Sequence, residues 1–176
     1  VVIPDSVKSI GEYAFSGCSA VKTIDTGDGV SIIGEGAFAY CTSLEKAAIS
    51  DYVETLEYFT FAECTSLDQI VIGKGVKSVS DGAFYGVEGL RAVLYRGSWD
   101  AYQEIDTGSS YNETFRSATI HYEMNEDELI EDGIYTYMID NRGASIFICD
   151  RDATGAIEVP STLGGYDVTG TERGAF

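Results

Sequence analysis

The sequence predicts an α/β repeat solenoid, with short parallel strands stacked on one another and joined by irregular or short helical return arms. Three observations carry this expectation. The phrase GEGAFAYC at residues 34–41 recurs as GEYAFSGC at 11–18, EYFTFAEC at 57–64 and SDGAFYGV at 80–87. Its phenylalanines, Phe15, Phe38, Phe61 and Phe84, stand 23 residues apart. Apolar columns keep the same step: Val7, Val30, Val53 and Val76 in one, Val21, Leu44, Leu67 and Leu90 in the next, then Ile24, Ala47, Ile70 and Val93. A fixed period of about 20 to 29 residues marks units that bury an apolar face against their neighbours.

The first block covers residues 1–95, about four units of 23. Within each unit, the stretch equivalent to Leu67, Ile70 and Ile72 is short and β-rich and runs into a turn such as Gly73-Lys74-Gly75. It reads as one strand, with inward and outward residues alternating along it. The GEGAFAYC half reads as the return arm. Phe38 is expected to fill the core, Ala37 to allow close packing, and Gly34 to permit a tight bend.

The pattern L-x-x-I-x-I-P-x-x-V-x-x-I-G-x-x-A-F-x-x-C resembles the BspA-type leucine-rich repeat family. Ile3-Pro4, Ile10-Gly11, Ala14-Phe15 and Cys18 match it as written. The third unit departs, with Glu57 for Gly and Thr60 for Ala, and the fourth has Val87 for Cys. The resemblance implies a leucine-rich-repeat fold. It also implies a bacterial surface or secreted protein tied to adhesion and host-protein binding.

After Tyr95 the register stops, and residues 96–123 read as a cap. Ser98 is a candidate N-cap, after which Trp99, Tyr102 and Ile105 share a helical face. A polar stretch follows, then Ala118-Thr119-Ile120-His121-Tyr122 as a closing strand. This W-x-x-Y helix and strand are also similar to the family's C-terminal covering unit. Residues 124–132 read as an acidic joint.

Residues 133–176 read as a β-hairpin opening a second repeat block. Two apolar segments, 134–139 and 144–148, flank Asp140-Asn141-Arg142-Gly143, a hairpin signal. Residues 157–163 repeat the strand-Pro phrase. Residues 168–176 repeat the arm, with Thr171 and Glu172 in place of Ile and Gly. The abrupt strand-like start at Val1 and the incomplete second block lead us to expect a fragment of a longer protein.

The 176 residues carry 29 acidic and 11 basic side chains, a net charge of -18. Such a surface repels phosphate backbones and anionic membranes, so neither nucleic acid nor membrane insertion is expected. No apolar run reaches the roughly 18 residues that span a bilayer.

No catalytic constellation, cofactor or metal site is expected. Cys18, Cys41 and Cys64 are spaced by the repeat, unlike the short spacings of a zinc site, and read as free, buried fillers. Cys149 has no repeat partner. His121, the single histidine, reads as structural. Asp25-Thr26-Gly27-Asp28-Gly29 reads as a turn, since the later bidentate Glu of a calcium loop is missing. Gly73-Lys74-Gly75 lacks the spacing of a phosphate loop. Asn112-Glu113-Thr114 is a glycosylation sequon, meaningful only in a eukaryotic secretory setting.

What remains is surface. Outward strand positions form two columns on the concave side: Thr23, Lys46, Gln69 and Ala92, then Asp25, Ala48, Val71 and Leu94. Solenoids bind through such faces. The expected function is a non-catalytic extracellular or cell-surface scaffold for a protein or glycan partner. The alternative is a spacer or targeting arm in a larger secreted protein whose activity lies elsewhere.

Overall fold

The computed structural model describes residues 1–122 and, beyond them, 129–132, 135–140, 143–149, 159–163 and 166–171. The chain divides into two compact units, residues 1–124 and 125–176.

The first unit is a parallel β-solenoid. Its main sheet stacks β2 (Thr23–Asp25), β4 (Lys46–Ala48), β6 (Gln69–Ile72), β8 (Ala92–Tyr95) and β9 (Thr119–Tyr122) in that order. Every pair is parallel, and the first three pairs keep the sequence period in register: Ile24 faces Ala47, Ala47 faces Ile70, and Ile70 faces Val93. A second, two-residue strand follows the turn after β2, β4 and β6, and another precedes β2. These are β1 (Ser9–Ile10) with β3 (Ile32–Ile33), and β5 (Thr55–Leu56) with β7 (Ser78–Val79). Each unit is therefore a flattened turn of chain with the apolar columns inside.

The interior is organised by phenylalanine. Phe15, Phe38, Phe61 and Phe84 stack rung on rung, with ring centroids 5.6, 5.4 and 5.6 Å apart. Phe38 is fully buried. Backbone bonds set the same ladder beside the rings: Phe15 N–H donates to the Ala37 carbonyl, Phe38 to Thr60 and Phe61 to Ala83, at 2.8–2.9 Å. Each arm thereby places its peptide groups against the next, leaving few buried donors unsatisfied.

The arms contain no helix. Two positions in each carry a positive φ: Tyr13, Gly36, Phe59 and Gly82 in one column, and Gly17, Tyr40, Glu63 and Gly86 in the other. A right-handed helix cannot run through left-handed residues, so each arm is a series of tight turns. Gly34 does not serve the bend expected of it. A Cβ there would lie 2.5 Å from Glu12 N and 2.8 Å from Gly11 C, so glycine is needed because the preceding arm passes so close.

The cap begins as the sequence suggests. Helix α1 (Trp99–Gln103) starts at Ser98, whose hydroxyl accepts from Ala101 N–H. Ile105 is buried, Tyr102 is half-buried, and the exposed Trp99 stacks on Tyr102. The following stretch was expected to be a polar connection, yet it contains a second helix, α2 (Glu113–Ser117). Its Phe115 is fully buried and stacks on Phe84 at 4.8 Å, closing the aromatic ladder. Asn112 completes the closure: its Oδ1 accepts from Phe84 N–H at 3.2 Å, where each earlier rung used a backbone carbonyl.

The second unit is a five-stranded sheet in the order β10 (Leu129–Asp132), β11 (Tyr135–Asp140), β12 (Gly143–Cys149), β14 (Tyr166–Thr171), β13 (Thr162–Leu163). β11 and β12 pair antiparallel as a hairpin, whose turn at 141–142 lies outside the described residues. Leu129–Asp132, which charge places in a joint, instead form an edge strand against β11. Tyr166–Thr171, overlapping the proposed return arm, form a strand parallel to β12. The rest of that arm, 172–176, lies outside the described residues.

The stacked interior predicts that Phe38→Ala lowers stability by about 3–5 kcal/mol, as large aromatic truncations in cores do. The exposed Thr23→Ala should change it by less than about 0.5 kcal/mol. Urea melts of the two variants check the contrast.

Candidate binding face

Alternation along a strand sends every second side chain to the outer face of the sheet. Pairing in β2, β4, β6, β8 and β9 then builds two straight columns, Thr23–Lys46–Gln69–Ala92–Thr119 and Asp25–Ala48–Val71–Leu94–His121. The eight residues singled out from sequence thus stand in register on one side of the sheet, where four of them are enclosed, and Thr119 and His121 continue the two columns. The extension escapes a search by period because the last strand follows its neighbour by 27 residues, not 23.

Exposure along this surface is graded. Thr23 and Asp25 are exposed, and Lys46 and Ala48 are half-buried. Gln69, Val71, Ala92 and Leu94 are buried, at 6, 5, 2 and 0% exposure. The expectation that Gln69 faces solvent therefore fails, and its Oε1 has no hydrogen bond among the described residues. Composition shifts along the same direction, from Thr and Asp at the first rung to Ala and Leu at the fourth, with the buried Gln69 as the exception. The first two rungs are the accessible part of the face. Asp25 caps its own turn there, with Oδ1 accepting from Gly27 N–H at 2.8 Å.

The groups that suggested chemistry are built into the fold. Cys18, Cys41 and Cys64 are free thiols. Cys41 Sγ donates to the Phe15 carbonyl and Cys64 Sγ to the Phe38 carbonyl, each at 3.2 Å. Burial pushes the Cys64 thiol up to about 12 and raises that of Cys41, opposite to the shift a nucleophilic cysteine needs. The side chain of Cys149 lies outside the described residues. His121 is buried beside Leu94, and burial draws its pKa down to about 4. Asn112 of the sequon is fully buried, its Nδ2 donating to the Ser80 and Thr107 carbonyls at 2.9 and 3.0 Å. An amide enclosed in this way is no glycan acceptor.

Comparison with known proteins agrees with this architecture. The model of the BspA type leucine rich repeat region matches residues 1–114, with 6 copies. A leucine rich cell surface protein from Faecalibacterium prausnitzii is similar, with 28% identity and a TM-score of 0.55 over 62% of this chain and 35% of that one. A leucine-rich repeat protein from Bacteroides ovatus is also similar, with 27% identity and a TM-score of 0.50 over 69% and 29%. The chain thus spans about a third of the length of these solved structures. No curated protein matches.

Alkylation under denaturing, non-reducing conditions should label all three thiols, whereas native labelling should spare Cys41 and Cys64. A Cys18–Cys41 crosslinked peptide in mass spectrometry would contradict the free-thiol column. His121 takes up its proton near pH 6.5 when unfolded but only near pH 4 when folded. Between those values the unfolded state binds more protons, so stability falls as pH drops through the window and is retained above it. Urea melts at about pH 7 and about pH 4.5 should show His121→Gln losing roughly 1–2 kcal/mol less than wild type on acidification.

Proposed function

Because the chain belongs to the BspA-type leucine-rich repeat family, we propose that it is a non-catalytic binding scaffold, acting at the cell surface or outside the cell. The observation that carries this reading is the in-register outer face of the parallel sheet, open at Thr23, Asp25, Lys46 and Ala48. Repeat proteins use such extended faces for binding, since a partner spanning several rungs meets a rigid array of side chains. The similar Faecalibacterium prausnitzii protein is a cell surface protein, which supports the location. An adhesion role with a protein or glycan ligand is the finer form of the proposal.

A second reading is that the repeats form a spacer or targeting arm of a larger secreted protein. The chain's short share of the solved structures, 35% and 29%, favours it. Deleting the repeats from the full-length protein without altering its location, activity or binding would establish this reading over the first.

Biolayer interferometry against a panel of matrix proteins and glycans tests the scaffold. We expect at least one ligand to be captured, and capture to weaken about tenfold in Thr23→Arg, which blocks the face without entering the core. The melting temperature should stay unchanged. Capture unaffected by Thr23→Arg would move the site elsewhere, and no capture across the panel would remove the reading.

A further inference from the structure

The arms carry a second surface, distinct from the sheet face. Five exposed aromatic side chains lie on them, Tyr13, Tyr40, Tyr58, Phe59 and Tyr85, and Tyr111 of the cap adds a sixth beside them. Rung-to-rung bonds make them neighbours. Tyr13 N–H donates to the Glu35 carbonyl, Gly36 to Tyr58 and Tyr40 to Ala62. Glu63 N–H donates in turn to Tyr85, whose ring meets Tyr111 edge-on at 5.6 Å.

Backbone preference does not explain four of these rings. Tyr13, Tyr40, Phe59 and Tyr111 sit at φ between 53 and 62°. Glycine holds the same position in sister arms: Gly36 and Gly82 in the column of Tyr13 and Phe59, and Gly17 and Gly86 in the column of Tyr40. The left-handed backbone is costly for a residue with a Cβ and costs glycine nothing. Bulky aromatics are thus placed outward where the cheap residue would have been glycine.

Charge identifies what they meet. The four arm phrases, 11–18, 34–41, 57–64 and 80–87, contain Glu12, Glu35, Glu57, Glu63 and Asp81 and no Lys or Arg. Asp81 is committed to the cap, accepting from Ser109 and Ser110 N–H, and those bonds hold its carboxyl below the usual range. Glu35 accepts from the Tyr13 hydroxyl at 2.8 Å. None of Glu12, Glu35, Glu57 and Glu63 forms an ion pair with a described residue. Cations lie instead in the turns and strand edges, bridging adjacent rungs as in Lys22–Glu45, Lys77–Glu54 and Arg91–Asp68. Rungs are about 4.8 Å apart, inside a Debye length of about 8 Å, so these arm carboxylates act together.

The geometry points to the arm face as a docking surface for an arginine-rich, extended polypeptide segment. A guanidinium stacks on Tyr and Phe faces while its edge donates to a carboxylate, so one side chain uses both elements of the surface. A neutral sugar would use the rings alone and make no use of the arm carboxylates. This surface is independent of the sheet face and stands or falls without it.

The probe is a fluorescein-labelled alternating Arg-Ser peptide of about nine residues, read by fluorescence polarisation at about 150 mM salt. Binding is expected, and Tyr58→Ser with Tyr85→Ser, which leaves net charge unchanged, should weaken it about tenfold. Amide and ring-proton shifts on the wild-type protein should map to the arms, which keeps the test valid if the double variant fails to fold. Four results would overturn the proposal. These are no binding, affinity indifferent to the aromatic variant, shifts confined to the sheet face, or arm shifts caused by an uncharged oligosaccharide but not by the peptide.

Discussion

The first unit depends on one packing contact, repeated: phenylalanine on phenylalanine across adjacent rungs. The ring must clear its neighbour while the peptide beside it reaches the next arm for a hydrogen bond at 2.8–2.9 Å. Those two demands fix the distance between arms, and the arms fix the register of the sheet opposite. Small residues beside the ring follow, as at the fully buried Ala37 and Ala83. So does Gly34, where the preceding arm leaves no room for a Cβ. The thiols fit the same scheme, since Cys41 and Cys64 lie beside the ladder and donate to carbonyls of the preceding rung.

The ladder also explains how the solenoid ends. An unmodified last rung would leave Phe84 with one open face and an unbonded N–H. The cap supplies Phe115 for the ring and the Asn112 amide for the backbone, from a segment that stands off the 23-residue period. Chemically it is a substitute rung, with a side-chain carbonyl in place of a peptide carbonyl. Burial of Asn112 is the consequence, and it converts an apparent modification site into a structural one.

The repeat was legible because a solenoid writes its geometry into sequence as a period. Phe15 to Phe84, the Leu44–Leu67–Leu90 column and the alternation in β2 to β8 all read directly from spacing. Features that break the period were not legible. Phe115 follows Phe84 by 31 residues and Thr119 follows Ala92 by 27, so neither falls in a 23-residue column. Burial along the outer face was half legible: the drift from Asp25 to Leu94 signalled it, but Gln69 looked like a solvent residue. Amide polarity does not reveal enclosure. Leu129–Asp132 misled in the opposite way, because an edge strand tolerates the charges that make a joint.

The same packing limits how densely the arms can carry aromatic rings. The ring of Tyr13 occupies the space a Cβ on Gly36 would need, and Phe59 stands 3.0 Å from the Cβ position of Gly82. In this column each aromatic is followed by glycine on the next rung, which gives its ring room to lie flat there, whereas Tyr40 is followed by Glu63 in the other. Rings in one column are spaced by two rungs, about 9.6 Å. Tyr40 uses the second left-handed column, on a rung where the first holds glycine. Offsetting the columns gives a ring on each of the first three rungs without a clash. In the first column, the alternation of Gly with Tyr or Phe that blurs the repeat in sequence thus leaves each ring room against the next arm.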